Sequence, residues 1–574
     1  MKSINKWLFA TVFIVAALSA FGQQKQKKIW VSGAARGILY GDDFDNQSES
    51  DTTTARKTQS GHALVDLGVN IQPSDKILIQ SMVRVRNDYG GFWGSGVTLD
   101  LRQLYIQGII GGFLKYELGD INYKLSSYTF QNNVGLINKN KGLLTGISQE
   151  QVQYDLFYYP DQSWRQQGAA VDFALEFKSF IKEMDFNLFT TRIRPFDGGT
   201  QDDRLYSGGS VVLKQGKYLN LGAQFASLYD FAGTSNSTVH MSNPVYSFSA
   251  EVMNTFGKTK LNLALETGNS SLRWKGSEEA PELNDFFYDV SLKAAWEEIG
   301  IDITAGYREV GQNFRSAGAQ TIQVNYDSYP LAYDRIGNDQ VLRNINMYDL
   351  YRDASLYNTQ IQEGLMNYDP RYDNVTPFGR ATPNRRGFSL LANYADKNKR
   401  WELSLDGEYL NDIVGEGTTA LRDYMTGSAM LKLGIAQMLG LKDRDLWISG
   451  RYGMQNTTRN GEQTFEEVDL KTNYFVANVL VTLFGDLDLI GEYRNWTTVG
   501  NEMLAERDVY SQIIDYNRYN IDYQEDLYGA GLQYGFSEEI KLSLMYLTFN
   551  WEDSLEATQN YKIDSWNLIF AMKF

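Results

Sequence analysis

The chain has 574 residues, no cysteine, two histidines and a formal charge of −16. The missing cysteine excludes cystine-stapled modules, thiol nucleophiles and a cysteine-borne lipid, and the acidic balance argues against nucleic acid as an electrostatically attracted partner. Aromatic residues make up 14%, with 37 Tyr and 51 Gly but only 9 Pro, which suits a wall that is apolar at alternate positions and ringed by interfacial aromatics better than a packed water-soluble core.

Lys2 and Lys6 precede an apolar run from Trp7 to Leu18, and small residues stand at Ala20 and Gly22. That order predicts a secretory signal peptide over 1–22, cleaved after Gly22, with residues 23–574 forming one domain. No run of ~18 apolar residues follows, so no membrane helix is expected.

Beyond the signal, the dominant period is two. Ile77, Ile79, Val83 and Val85 oppose Gln80, Arg84 and Arg86; Val171, Phe173, Leu175 and Phe177 oppose Asp172, Glu176 and Lys178. Ile301, Ile303, Ala305 and Tyr307 alternate with Asp302, Thr304 and Arg308, and Trp401, Leu403, Leu405 and Tyr409 with Glu402, Asp406 and Glu408. Each segment has one greasy and one wet face.

Tight turns are expected at Pro73-Ser74-Asp75, Gly111-Gly112, Gln215-Gly216, Gly257-Lys258, Ile299-Gly300, Asp396-Lys397-Asn398, Gly485-Asp486 and Ser537-Glu538, with looser ones near Ser179 and Asp443. Between them lie longer polar connections, above all 125–166 and 311–384, with 41–60, 269–284 and 497–522 intermediate. Within the first, Gln151 to Tyr159 reads as strand-like, entering the lumen or forming an external hairpin. Short turns at one end and long loops at the other predict an all-β fold: a single transmembrane antiparallel β-barrel of roughly 22 strands, within a range of roughly 18 to 24.

The candidate lumen and selectivity residues are Arg84, Arg86, Arg192, Arg194, Arg308, Glu402, Asp406, Glu408, Arg451, Glu492 and Arg494, with Glu266 beside them. Opposed charges there either set a transverse field that selects solutes or pair and brace the wall. The 311–384 connection carries Tyr326, Tyr329, Tyr333, Tyr348, Tyr351, Tyr357, Tyr368 and Tyr372, a composition suited to a glycan, to a protein partner, or to a cap over the barrel mouth. His62 and His240 lack a partner at metal-ligand spacing, so no metal, cofactor or enzymatic activity is expected.

The chain ends with Trp566, Leu568, Phe570, Met572 and Phe574 on one face. This resembles the C-terminal signal by which outer-membrane barrels present their last strand to the barrel-insertion machinery. From about residue 28 onward the chain resembles a Gram-negative outer-membrane β-barrel, and the signal ending Phe21-Gly22-Gln23 with the richness in Tyr, Asn and Asp is similar to barrels of the Bacteroidota. The resemblance implies an outer-membrane lipid environment and a porin-like channel for small polar solutes, constricted by long loops. Its alternative is a structural or recruiting barrel subunit of a secretion, barrel-assembly or gliding complex, with a closed lumen. A plugged receptor is excluded, because the first strand starts about Ile29.

Overall fold

Alternation lets each segment turn one face to lipid and one to the interior, and hydrogen bonding along both edges leaves no polar backbone exposed if the sheet closes. The computed structural model describes residues 28–46, 56–89, 97–130, 142–156, 166–233, 235–319, 370–371, 374–441, 444–507, 513–557 and 560–574. The signal segment 1–22 lies outside them.

Five strands open the barrel: β1 (Ile29–Asn46), β2 (Arg56–Ser74), β3 (Ile77–Asp88), β4 (Val97–Ile110) and β5 (Leu114–Ile121). A helix, α1 (Leu143–Leu156), precedes β6 (Gln166–Glu176), β7 (Glu183–Arg194), β8 (Arg204–Lys214) and β9 (Leu219–Asp230). Then come β10 (His240–Phe256), β11 (Thr259–Lys275), β12 (Leu283–Trp296) and β13 (Ile301–Val310), and beyond the long connection β14 (Arg385–Ala395), β15 (Trp401–Asn411) and β16 (Asp423–Gly434). A one-turn helix, α2 (Ile435–Leu439), leads into β17 (Leu446–Arg459), and the chain finishes with β18 (Val468–Phe484), β19 (Leu487–Arg507), β20 (Ile513–Gly535), β21 (Ile540–Asp553) and β22 (Tyr561–Lys573).

Every strand pairs antiparallel with its sequence neighbours, and β22 returns to β1 in a register running from Ala34↔Lys573 to Asn46↔Tyr561. The result is a closed 22-stranded antiparallel barrel. Nine of the ten expected turns connect strands at one end, the tenth, at Asp443, lies outside the described residues between α2 and β17, and the longer connections join strands at the other end.

Two expectations about the loops need correction. The strand-like stretch from Gln151 lies, as far as Leu156, in α1 rather than in a strand, and residues beyond Leu156 up to Tyr159 lie outside the described residues. The intermediate loops are shorter than 41–60, 269–284 and 497–522, because β1 runs to Asn46, β11 to Lys275, β19 to Arg507 and β20 back to Ile513. Strand pairing continues past the apolar band there, since every added rung satisfies two backbone groups.

The outer face is apolar at alternate positions: Leu99, Phe248 and Phe388 are each more than 60% exposed. Near the loop end aromatic rings run along the wall, Phe225 with Tyr246, Tyr307 with both Tyr288 and Phe388, and Phe475 with Tyr493. Such a girdle marks a membrane–water boundary. Trp566, Leu568, Phe570 and Met572 do share the outward face of β22. At the β1–β22 seam, the indole of Trp566 lies over Gly41, where an added Cβ would fall 2.2 Å from its Nε1.

The interior is not uniformly wet. Phe189, Phe287, Leu527, Leu547 and Phe549 face inward and are buried, so alternation here opposes lipid-facing apolar residues to a lumen carrying apolar seats as well as charges. Those seats receive the inward-folded connections.

Candidate functional site: the lumen constriction

α1 crosses the lumen side of the wall from β19 to the β1–β4 sector. At its start the Glu492 carboxylate accepts the N–H groups of Leu144 (2.7 Å) and Thr145 (3.0 Å) and the Thr145 hydroxyl (2.7 Å), while Asn478 Oδ1 accepts Leu143 N–H (2.9 Å). Arg494 stands 3.9 Å from Glu492. At the other end Arg36 donates to the Gln151 carbonyl (3.0 Å) and Arg102 to that of Tyr154. A carboxylate at a helix start and guanidinium groups at its end both oppose the helix dipole favourably. Between the ends, Leu144 is fully buried in a cluster with Ile490, Leu527, Met545, Leu547 and Ile569, against which Leu143 and Ile147 also pack.

The β1–β4 sector is built around Asp66, which is 0% exposed. Arg84 holds both its oxygens at 2.8 Å, Arg102 stands at 3.4 Å, and the Tyr154 hydroxyl donates to it. The Tyr154 ring lies 4.2 Å from the Arg102 guanidinium carbon, a cation–π contact. Arg102 reaches the lumen because β4 carries a bulge: Met82 pairs with Gln103 and Val83 with Leu101, leaving Arg102 as the extra residue. His62 Nε2 accepts from Arg36 Nε at 3.0 Å, so its lone pair is engaged by the wall.

Two further segments fold inward. In residues 122–130, Tyr128 stacks on Phe287 at 4.0 Å and its hydroxyl donates to Asp289, while Thr129 O accepts from Tyr206 (2.9 Å) and Ser316 (3.2 Å). The described parts of 311–384 do likewise. Phe314 is buried against Phe287, Arg380 pairs with Asp289, and Asn374 donates to Glu502 (2.6 Å) and Thr457 (2.9 Å). Arg371 O accepts from Trp496 (3.0 Å) and Thr498 (2.8 Å). Near the loop end, Arg385, Asp412, Arg422 and Glu502 form a buried ion-pair network with Arg385 over the Tyr424 ring. It borders a cavity of about 150 Å³ lined also by Phe378, Asn384 and Glu416.

Of the expected lumen residues, Arg308 and Glu408 form a bidentate pair at 2.8 Å. Arg451 bonds Ser428 (2.9 Å) and lies 3.5 Å from Asp406; Glu402 faces Lys432 at 3.9 Å. Arg84, Glu492 and Arg494 hold the positions given above, Arg86 faces inward across from Leu64, and Glu266 is half-buried on β11 opposite Asp289. Arg192 is a correction. Phe189 and Thr191 are the buried positions of β7 while Leu188 is 55% exposed, so Arg192 stands on the outer face at the loop end, paired with Asp203. The Arg194 side chain and all eight loop tyrosines, Tyr326, Tyr329, Tyr333, Tyr348, Tyr351, Tyr357, Tyr368 and Tyr372, lie outside the described residues.

Sequence reasoning missed Asp66, Arg36, Arg102, Asp289 and the Arg422–Glu502 pair. Arg36 and Asp66 do sit at alternate positions with Ile38 and Leu64, the one signal that marks them. His240 pairs with the buried Asp202 at 2.6 Å, and among the described residues no three His, Cys, Asp or Glu side chains cluster as metal ligands.

No family model and no curated protein matches the chain. Among solved structures it is similar to Pseudomonas aeruginosa OccK5 (OpdH), at 10% identity and a TM-score of 0.37, covering 96% of this chain and 99% of that one. It is also similar to a BenF-like porin from Pseudomonas fluorescens Pf-5, at 8% identity and a TM-score of 0.33, covering 96% and 99%. OmpT of Vibrio cholerae matches at 9% identity and a TM-score of 0.26, covering 96% and 100%. The fold itself is defined by the strand pairing, β1 to β22 in order and closed by β22 on β1.

Proposed function

We propose that the chain is an outer-membrane, porin-like channel for small polar solutes, constricted by its own inward-folded connections. The observation that carries this reading is direction: α1, residues 122–130 and the described ends of 311–384 all pack against the inside of the wall through buried hydrogen bonds. A closed recruiting subunit would need the longest connection to project as a docking surface; its described ends point the other way. A barrel of this strand number encloses enough space for water around such segments.

In this reading the chain is exported by a signal cleaved after Gly22 and delivered to the insertion machinery through its last strand. The selectivity residues are Arg84, Arg86, Arg308, Arg451 and Arg494 with Glu402, Asp406, Glu408 and Glu492, set in a wall of mixed sign. The pairs Arg84–Asp66, Arg308–Glu408, Arg451–Asp406, Lys432–Glu402 and Arg494–Glu492 keep those charges ordered and leave net attraction small, which suits polar solutes better than one ion.

The test is single-channel conductance in a planar bilayer of the intact chain beside one lacking 311–384. Steady conductance that rises on deletion supports a loop-constricted channel. Silence from both sinks it.

A further inference from the structure

Resting on the channel reading, we propose that α1 is a releasable stopper whose helical form exists only while it is docked, with Glu492 as its latch. The argument begins with the helix itself. Its sequence, Leu143 to Leu156, has no acidic residue in the first turn and no basic residue in the last, and it includes Thr145 and Gly146, both poor helix formers. Isolated helices shorter than ~12–15 residues are marginal in water even with good sequences. This one supplies neither of its own end charges.

The wall supplies them. Glu492 takes three donors from the first turn, and Arg36 and Arg102 take carbonyls from the last turns. The free N–H groups that any helix exposes at its start are thus met by β18 and β19 side chains rather than by a local cap. Gly142 must approach the same carboxylate so closely that a Cβ there would fall 1.9 Å from Glu492 Oε1. Opposite, the apolar seat is cut to shape: Gly531 leaves room for Leu144, whose Cδ2 would be 2.7 Å from an added Cβ.

Docking and helix formation are therefore one event. Leaving the seat removes the caps at both ends together with the burial of Leu144, so the released segment reverts to coil and the passage beside β18–β22 widens. A stopper that melts on release moves between two states, not along a continuum.

Two variants perturb the seat by unrelated means. Glu492→Gln weakens the latch, and Gly531→Val crowds Leu144 without touching a charge. Each is expected to raise occupancy of a larger conductance level about tenfold, the factor that corresponds to ~1.4 kcal/mol. Because the chain has no cysteine, Ile147→Cys serves as a single reporter, and its alkylation by a water-soluble maleimide should accelerate by the same factor in both backgrounds. Unchanged alkylation in both variants overturns the stopper, whatever the conductance. Faster alkylation in a barrel that never conducts leaves the stopper standing and removes the channel reading instead.

Discussion

Replacing Arg308 by Leu is expected to destabilise the barrel more than any surface substitution, and replacing Glu408 along with it to restore most of the loss. Arg308 is 2% exposed and Glu408 23%, and two parallel bonds of 2.8 Å join them across the intervening strand. Breaking a buried pair from one side costs about 3–5 kcal/mol, chiefly because the remaining charge is left uncompensated. Glu408 keeps partial contact with lumen water, which places the cost near ~3 kcal/mol, whereas the double Arg308→Leu, Glu408→Leu change exchanges a pair for apolar volume and should fall within ~1–2 kcal/mol of the parent. The assay is a double-mutant cycle of guanidinium unfolding in lipid vesicles. A single variant as stable as the parent, or a double no better than the single, would refute the view that these charges brace the wall. The single variant should also shift ion selectivity toward cations, read as a reversal potential across a salt gradient, because Glu408 then faces the lumen alone.

Three further outcomes follow from particular contacts. Gly41→Val places a side chain inside the Trp566 indole, so its fraction of heat-resistant folded barrel should fall sharply while Gly112→Ala, at a turn position with open space around it, changes little more than its backbone strain demands. Tyr128→Phe keeps the stack on Phe287 but strands Asp289 of one donor; limited proteolysis within 122–130 should accelerate about tenfold, for a loss of ~1–2 kcal/mol. In the turn after β14, Arg400 holds Asp396 through bonds of 2.8 and 2.9 Å and draws its carboxyl down to about 2. A depressed folded-state value means stabilisation that is full above the ordinary Asp range near ~3.9 and is lost as pH falls through about 2. Arg400→Gln should return the Asp396 carboxyl ¹³C titration toward ~3.9, and an unchanged midpoint would show that the turn backbone, not Arg400, sets it.

The barrel was legible because its two strongest signals are local. Turn residues at ten places and alternation such as Ile301 to Arg308 depend only on neighbouring residues and on lipid outside. α1 was not, for a physical reason: its wall contacts, Leu144, Ile147, Gln151 and Tyr154, do recur at helical spacing, but two of them are backbone carbonyls or a polar ring and do not register as an apolar stripe. Arg192 was misplaced because Phe189 and Leu188 are both apolar, one serving a lumen aromatic cluster with Phe130 and Tyr206 and the other lipid. Ion-pair partners such as Asp66 with Arg84 or Arg422 with Glu502 depend on register and on folded-in loops, which no single stretch of sequence contains.

The pairing of β1 with β22 bears on biogenesis. Its rungs join residues more than five hundred positions apart, Asn46 with Tyr561 for one, so the contact of greatest sequence separation is also the one that abolishes both sheet edges. Until Trp566 settles over Gly41, two unpaired strands face their surroundings, and loop-closure entropy disfavours their meeting unaided. Before that closure the molecule is therefore at its most aggregation-prone, with two sheet edges open to pairing with another chain.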